Sequence, residues 1–278
     1  MYKRMRTVEE KKKRRRIIRI ACFVIIAILS TGFINPLKTT TYNITNSLIS
    51  KDFDGFTIVA ISDFHLKSFG KKEAKLIKEI KDCNPDIIVF TGDMIDENHK
   101  NIDNLEYLLE GIHDLCPIYQ VTGNHEKENM VFYSQMQDLY DKYGVIDMND
   151  NKVYIERNGS KIFLAGIDYY GFPDYWDDFK APADTFSILL YHNAEAFDET
   201  SKLGYNLVLS GHAHGGIIRL PFAGGLISTD IKLGANFEKG VYDLNGSTLI
   251  SNTGLGAAPL PRYNNPREIV KIVLKSED

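Results

Sequence analysis

Five short apolar runs, each followed at once by a cluster of Asp, Asn or His, constrain this sequence more than any other feature. The runs and the polar residues after them are 57–62 with Asp63 and His65, 86–91 with Asp93 and Asp96, 118–121 with Asn124 and His125, 186–191 with His192, and 207–210 with His212 and His214. Apolar runs this short are typical of buried strands. Because open α/β sheets place their ligand crevices at the carboxyl ends of the strands, the pattern predicts that these side chains share one polar crevice.

The order of the predicted elements indicates the fold class. Helical periodicity at 73–81, 102–110 and 128–143 alternates with the first three strand runs, which predicts parallel strands with helices on the sheet face. Beyond Gly144 the chain changes to short strands at 152–157 and 161–167, and from Ile217 Gly-rich hairpins are expected to continue to the end. We therefore predict an α/β fold, a sandwich of two mixed β-sheets flanked by helices.

The residue types in the crevice favour a metal site. Carboxylate and amide oxygens together with imidazoles suit Mn, Fe or Zn. The three cysteines, Cys22, Cys83 and Cys116, form no CxxC pair, so a cysteine zinc site is excluded. One Asp-x-His or His-x-His pattern arises easily by chance, but five clusters at the ends of five strands do not. A central Asp has two oxygens and can bridge two cations.

These clusters resemble those of the calcineurin-like metallophosphoesterase family over residues 57–274, and the region 210–266 resembles a membrane-anchored bacterial branch of it. The resemblance implies a β-sandwich flanked by helices and two divalent metal ions per chain, of Mn, Fe or Zn. It implies a first metal held by Asp63, His65, Asp93 and His214, and a second held by Asp93, Asn124, His192 and His212.

The expected chemistry is hydrolysis of a phosphoester by water, because two adjacent cations can activate a water molecule and hold phosphoryl oxygens. The resemblance makes His125 the candidate that protonates the leaving oxygen or stabilises charge on phosphorus, with Asp96 as the partner that orients it. Protein phosphatases of this fold carry an Arg where this chain has Glu97, which argues against phosphoprotein substrates. Arg219 is our candidate substrate-binding residue, with Arg262 and Arg267 as alternatives, although a surface position is expected for each.

The N-terminus predicts a membrane anchor. Ten of the 33 Lys and Arg and only two of the 37 Asp and Glu precede residue 20. We predict a basic cytoplasmic tail at 1–16, a transmembrane signal-anchor helix at 17–37, a stalk or edge strand at 38–54, and a catalytic domain at 55–278 outside the cytoplasmic membrane. A cleaved signal peptide and a buried or interfacial helix are the alternatives. As an anchor, 17–37 would make the lipid bilayer a partner.

The substrate is less constrained by the sequence. Six aromatic residues crowd one stretch, namely Tyr169, Tyr170, Phe172, Tyr175, Trp176 and Phe179, and form either a small core cluster or a wall of the substrate pocket. A lipid-linked or envelope phosphoester fits the anchor. The alternatives are a nuclease or nucleotide phosphodiesterase of the same fold and a catalytically silent metal-binding sensor. The acidic body argues against nucleic acid as a partner. Pairing of Cys83 with Cys116 and the oligomeric state stay open.

Overall fold

Two six-stranded β-sheets packed face to face form the centre of the structure, a computed structural model that describes residues 8–171, 178–220, 224–227, 234, 236–256 and 260–277. The helices are α1 (Val8–Thr31), α2 (Ala74–Asp82), α3 (Asp103–Ile112), α4 (Met130–Tyr143) and α5 (Phe197–Thr200). The strands are β1 (Leu37–Asn46), β2 (Thr57–Ile61), β3 (Ile87–Thr91), β4 (Ile118–Val121), β5 (Ile146–Asp147), β6 (Asn151–Arg157), β7 (Ser160–Ile167), β8 (Ser187–Asn193), β9 (Leu207–Gly211), β10 (Ile218–Leu220), β11 (Gly224–Ile227), β12 (Gly240–Leu244), β13 (Ser247–Ser251) and β14 (Arg267–Ser276).

Both large sheets are mixed. The first has the order β1-β14-β2-β3-β4-β5, in which β2 to β5 are parallel and β14 is antiparallel to β2. The second has the order β12-β13-β9-β8-β7-β6, with four parallel strands between two antiparallel edge strands. The predicted α/β fold with mixed sheets is confirmed.

The core lies in layers on the two faces of each sheet. Ile58 and Ala60 of β2 point into the space between the sheets, where they meet residues such as Leu164 and Ile188 of the second sheet. The alternate residues Val59 and Ile61 belong to the layer that packs under α2, α3 and α4. Since successive strand residues face opposite sides, β2 is buried on both faces. Because both faces of β2 are held in this way, the polar residues that follow it are placed at one edge of the sheet.

The last strand corrects one prediction. We expected hairpins from Ile217 to the end, and β10–β11 and β12–β13 are indeed antiparallel pairs. β14, however, lies inside the first sheet between β1 and β2. The reason is burial, because Val270, Ile272 and Leu274 fill the space between the two sheets. Such a strand needs a partner on each side rather than one hairpin neighbour.

The N-terminal boundaries also differ from those predicted. α1 begins within the segment assigned to the basic tail and ends at Thr31, while Leu37, assigned to the anchor, opens β1. β1 pairs in parallel with β14 from Leu37 to Asn46, so the segment 38–54 supplies an edge strand. No helix in the described part of the chain combines the length and the apolar character needed to cross a membrane. Cys22, Cys83 and Cys116 are free thiols.

Candidate metal centre

The predicted ligands come together because both sheets present carboxyl ends at the same end of the sandwich. β2, β3 and β4 lead into Asp63, Asp93 and Asn124, and the second sheet supplies His192 from β8 and His212 just after β9. Backbone hydrogen bonds join the strand ends, since the amide of Asp63 donates to Gly92 O at 2.9 Å. The crevice predicted from five strand ends is thus assembled from two sheets.

One group of ligand atoms contains Asp63, His65 and His214, whose candidate atoms lie within 4.8 Å of one another. The Nε2 atoms of His65 and His214 are 3.3 Å apart, and His214 Nε2 lies 3.6 Å from Asp63 Oδ1. All three side chains are buried. A second group contains Asp93, His192 and His212 within the same limit. Here His192 Nε2 lies 3.1 Å from Asp93 Oδ2.

Asp93 connects the two groups. Its Oδ2 is 3.1 Å from His192 Nε2 and 3.7 Å from His65 Nε2, so the same oxygen faces a histidine of each group. Asn124 joins the second group because its Oδ1 lies 2.9 Å from His212 Nδ1. Burial favours the neutral form of Asp93, yet the adjacent His192 and His65 outweigh it and hold the pKa of Asp93 far below its ordinary value. A permanently anionic carboxylate at this position suits a shared cation ligand.

His192 provides a test of whether the residues fit a metal. Its Nδ1 donates to Thr91 O at 2.7 Å, which leaves Nε2 as the ring nitrogen that faces Asp93. That Nε2 is fully buried and faces the Asp93 carboxylate without a well-aligned hydrogen bond to it. A buried nitrogen and a buried carboxylate in this arrangement can share a cation, either a proton or a metal ion. Together with the neighbouring carboxylates and imidazoles, it fits a divalent cation of the Mn, Fe or Zn type.

Metal uptake is expected to release a proton from His192. Burial lowers its pKa, but the carboxylates of Asp93 and Asp63 outweigh burial and raise the pKa to about 10. Since a metal needs the unprotonated Nε2, the apparent affinity for Mn²⁺ should rise about tenfold per pH unit between pH 6.5 and 8.5. Calorimetric titration in buffers of different ionisation enthalpy measures the released proton. An affinity independent of pH would contradict the assignment.

Backbone strain accompanies the ligands. Asp63, His65, Asp93, His212 and His214 all have φ between +45° and +69°. Non-Gly residues rarely adopt this left-handed region, and each such residue costs on the order of 1–3 kcal/mol unless its surroundings enforce it. Five of the seven predicted ligands therefore sit in strained conformations. The adjoining loops therefore hold these side chains in the crevice at a cost in backbone strain.

Glu126 is a structural residue to which sequence reasoning gave no role. Its carboxylate accepts hydrogen bonds from the backbone amides of Gly123 at 2.6 Å, Asp93 at 3.0 Å and Met94 at 2.6 Å. Burial and the charge of Asp93 raise the pKa of Glu126 to about 7. At Gly123 a Cβ would lie 2.2 Å from Asp93 Oδ1, so only glycine allows the loop to pass this close. Glu126 and Gly123 together fix the position of the shared carboxylate.

The structure corrects the predicted partner of His125. Asp96 does not pair with it: Asp96 Oδ2 lies 3.3 Å from His65 Nδ1, and Asp96 Oδ1 lies 2.8 Å from His99 Nδ1. Burial opposes ionisation of Asp96, but the hydrogen bonds from His65, His99 and the Asn98 amide lower its pKa to about 2. Instead, His125 Nδ1 lies 2.5 Å from Glu128 Oε2.

This exchange of partners gives the two carboxylates different tasks. Asp96 holds the ring of the predicted ligand His65, whereas Glu128 holds His125. Glu128 lies three residues beyond His125 at the start of the segment leading to α4, so a local contact replaces the predicted long-range one. His125 Nε2 stays at the centre, 3.9 Å from Asp93 Oδ2.

The three arginines considered for substrate binding have separate positions. Arg219 donates to Gly215 O at 2.5 Å and pairs with Glu238 at 3.1 Å, so these contacts hold it beside the loop after His214. Arg267 donates to Asn35 O at 2.8 Å. Arg262 is 5% exposed, which makes the predicted surface position wrong for it.

Arg262 lies directly behind the first group of ligands. Its Nη2 is 3.1 Å from His214 Nδ1, and its Nε donates to Gly256 O at 3.1 Å. Because a guanidinium only donates, His214 Nδ1 is the acceptor and the proton of the neutral ring resides on Nε2. Burial, His65 and Arg262 all keep the pKa of His214 well below its ordinary value. Ligation through Nε2 would therefore need the other tautomer of His214, with the proton on Nδ1 and Arg262 turned away from it.

Replacing Arg262 with Ala should lower the free energy of unfolding of the metal-free protein by about 2–4 kcal/mol, since the Gly256 carbonyl and His214 Nδ1 lose a buried donor. Urea denaturation in the presence of chelator measures it. The matched control is Arg157→Ala, at a half-exposed ion pair with Asp86, which should cost less than about 1 kcal/mol. Equal effects of the two substitutions would contradict the buried role.

The aromatic stretch divides between the two interpretations. The ring of Tyr169 lies 5.7 Å from that of His192 and 5.8 Å from that of His212, and the Tyr170 hydroxyl donates to Asn124 O at 3.0 Å. Phe179 instead belongs to the core outside the second sheet. Phe172, Tyr175 and Trp176 lie outside the described residues. Tyr169 and Tyr170 thus line the second group of ligands, as a pocket wall would.

The comparisons with known proteins identify the family. The family described as Calcineurin-like phosphoesterase matches residues 56–216. The chain belongs to this family. A metallophosphoesterase of Bacillus subtilis, YkuE, is 35% identical over 251 residues, which cover 86% of each chain. YkoQ of the same organism is 27% identical over 207 residues, 72% of this chain and 76% of YkoQ. LpxG of Chlamydia trachomatis, a UDP-2,3-diacylglucosamine pyrophosphatase, is 24% identical over 273 residues, 77% of this chain and 82% of LpxG.

As a calcineurin-like phosphoesterase, the chain is a metal-dependent hydrolase of phosphoesters. The predicted resemblance is confirmed, and the matched region contains every candidate ligand from Asp63 to His214. Arg262 and the glycine-rich loop at 254–256 lie beyond the matched residues. Arg262 contacts His214 and the loop lies against Asp63, so residues beyond the matched region support the first group of ligands.

Proposed function

We propose that this calcineurin-like phosphoesterase is a dinuclear enzyme that hydrolyses a phosphodiester or pyrophosphate bond of an amphiphilic substrate at the outer face of the cytoplasmic membrane. The observation that carries the dinuclear part is the position of Asp93, whose Oδ2 faces His65 on one side and His192 on the other. Asp63, His65, Asp93 and His214 would hold one cation. Asp93, Asn124, His192 and His212 would hold the other.

The bound cations would supply an activated water molecule and positive charge at the phosphoryl oxygens. The protein residues do the rest. His125 sits at the rim, 31% exposed, with Nε2 3.9 Å from Asp93 Oδ2, where it can meet a leaving oxygen. Glu128 accepts a hydrogen bond from Nδ1 of the same ring. Because Nδ1 then carries a proton, Nε2 carries one as well only in the cationic form of His125. That form is the acid that a leaving alkoxide needs.

Attachment to a membrane is supported by α1 and the residues after it. Phe23 and Ile34 are each 72% exposed and Ile26 is 65% exposed, beside the basic run at 11–16. Transfer of exposed apolar side chains of this size from water into a lipid environment is favourable. The Lys and Arg excess on the N-terminal side favours a cytoplasmic tail, which would place the catalytic domain outside.

An amphiphilic substrate is supported by the aromatic wall and by one relative. Tyr169 and Tyr170 pack against His192 and Asn124 and offer an apolar surface next to the second group of ligands. The relative LpxG is named for a diacylglucosamine pyrophosphate bond. A phosphoester with an apolar portion suits such a wall better than a phosphoprotein, because Glu97 stands where an Arg would clamp phosphate.

The test is hydrolysis by the full chain in detergent micelles with Mn²⁺. Its substrates are a short-chain glycerophospholipid, a nucleoside diphosphate sugar, a nucleotide cyclic diester and simple aryl phosphate mono- and diesters. We expect the highest kcat/KM for the acylated substrates. A clear preference for a water-soluble nucleotide would remove the membrane part of the proposal. A stoichiometry of one metal per chain in an active preparation would remove the dinuclear part.

A further inference from the structure

A pocket of about 280 Å³ lies beside the point where the chain leaves α1 and enters the domain. One wall is the segment with Asn35 and Leu37, and the other is the loop from Lys67 to Lys75, which follows the ligand His65. Arg267, at the start of β14, also lines the pocket. None of these residues has a part in the metal chemistry described above.

The charge of the pocket is positive. Lys67, Lys75 and Arg267 line it, and within the described part of the chain none of the three forms an ion pair with a carboxylate. The Nε of Arg267 is buried and has no hydrogen-bond partner. A buried guanidinium nitrogen without an acceptor is costly. Three cations around a small cavity therefore favour an anionic occupant.

The carboxylate of the loop, that of Glu73, is held inside the fold. Glu73 is fully buried, and its Oε2 accepts the backbone amide of Phe69 at 2.7 Å. Burial raises the pKa of Glu73. Among the described residues its carboxylate forms no ion pair with the four lysines of the loop from 67 to 75. Glu73 fixes the loop from inside while Lys67 and Lys75 face the pocket.

The walls of the pocket are held in place without a ligand. Arg267 Nη1 donates to Asn35 O at 2.8 Å, and the amide of Asn265 donates to Asn35 Oδ1 at 2.9 Å. On the other side, the amide of Lys67 donates to Phe64 O at 2.9 Å. A preorganised site spends little binding free energy on ordering its side chains. The pocket is therefore an open surface recess whose walls are held in place by hydrogen bonds.

We propose that this pocket binds a phosphate group. Arg267 offers a planar set of donors and the two lysines offer point charges, the combination by which proteins hold phosphate oxygens. The group belongs either to a lipid headgroup or to free phosphate. The pocket and its charge stand apart from the proposed function, whereas the lipid as source rests on it, because the pocket adjoins the end of α1.

The test measures binding by the full chain in nonionic micelles with excess chelator, so that the metal centre contributes nothing. The probes are dihexanoyl phosphatidylglycerol and inorganic phosphate, titrated calorimetrically. The pocket variant is Lys67→Ala with Lys75→Ala. The matched control is Lys71→Ala with Lys81→Ala, two exposed lysines of the same region that do not line the pocket, so both variants lose the same charge.

We expect the pocket variant to weaken binding on the order of tenfold or more, and the control to leave it within about twofold. Binding of the phosphatidylglycerol well above that of phosphate assigns the lipid as source, and equal binding of the two assigns free phosphate. Either result, with the variant effect, supports the pocket. Absent binding of both probes, or an equal loss in both variants, would overturn it.

Discussion

Asp93→Asn is expected to abolish metal binding at both groups of ligands and to reduce phosphodiester hydrolysis on the order of a thousandfold or more. The substitution keeps the shape of the side chain. Its Oδ1 can still accept from the His125 amide, as the carboxylate does at 2.9 Å. The atom at the Oδ2 position becomes an amide nitrogen, which turns a donor rather than a negative charge toward His192 and His65. Metal analysis and turnover of an aryl phosphodiester measure both losses.

The control for this substitution is Asp198→Asn, which removes the same charge from an exposed position on α5. It should keep the metal content and kcat/KM of the parent. An unfolded Asp93→Asn protein would mimic the expected loss, so circular dichroism in chelator must first show parent-like folding. If the folded Asp93→Asn protein retained two metals and the parent rate, the shared-ligand assignment would be wrong.

The second large effect is expected at His125. His125→Ala should keep the parent metal content, because its Nε2 lies 3.9 Å from the shared Asp93 Oδ2, farther than the Nε2 atoms of His192 and His65. It should lower kcat by roughly 10²- to 10⁴-fold, the usual contribution of a positioned general acid. The loss should be smaller for p-nitrophenyl esters than for alkyl esters, since a good leaving group needs less help from a proton.

His99 supplies the comparison for that experiment. It is another histidine at the edge of the centre, 39% exposed and bonded to Asp96. His99→Ala should change kcat by less than about tenfold and should not distinguish the two leaving groups. A His125→Ala protein whose rate fell equally for aryl and alkyl esters would argue for charge stabilisation at phosphorus instead of proton donation.

Most residues of the candidate metal centre could be predicted from the sequence, because each of them lies close in sequence to a predicted strand. Each ligand follows an apolar run within a few residues, and parallel strands bring their ends together whatever the loops contain. Asp93 as the shared residue came from the family resemblance, and the geometry agrees with it. The contacts of Arg262 with His214, 48 residues apart, join two loops that no strand pattern aligns. Such contacts depend on the closed fold and leave no periodic signal.

Two of the wrong predictions concern contacts that the sequence pattern does not encode. The rings of His65 and His125 lie 4.8 Å apart, and the sequence does not show which of them Asp96 contacts; in the structure it is His65. β14 was misplaced because alternating apolar residues predict a half-buried strand but not its neighbours. Its partners are fixed by the ten-position register with β1 and by burial between the sheets.

The connection between α1 and β1 limits how the catalytic centre can be presented. Only residues 32–36 separate the helix from the strand, a span of at most about 18 Å when fully extended. That span is also fastened to the domain, because the Asn264 amide donates to Gly32 O at 2.7 Å and the Asn35 side chain donates to Arg262 O at 2.7 Å. Arg262 in turn touches His214. The connection between α1 and the domain is therefore short and fixed by hydrogen bonds. If α1 is bound to another surface, the distance and orientation of the catalytic crevice relative to that surface are set by the fold.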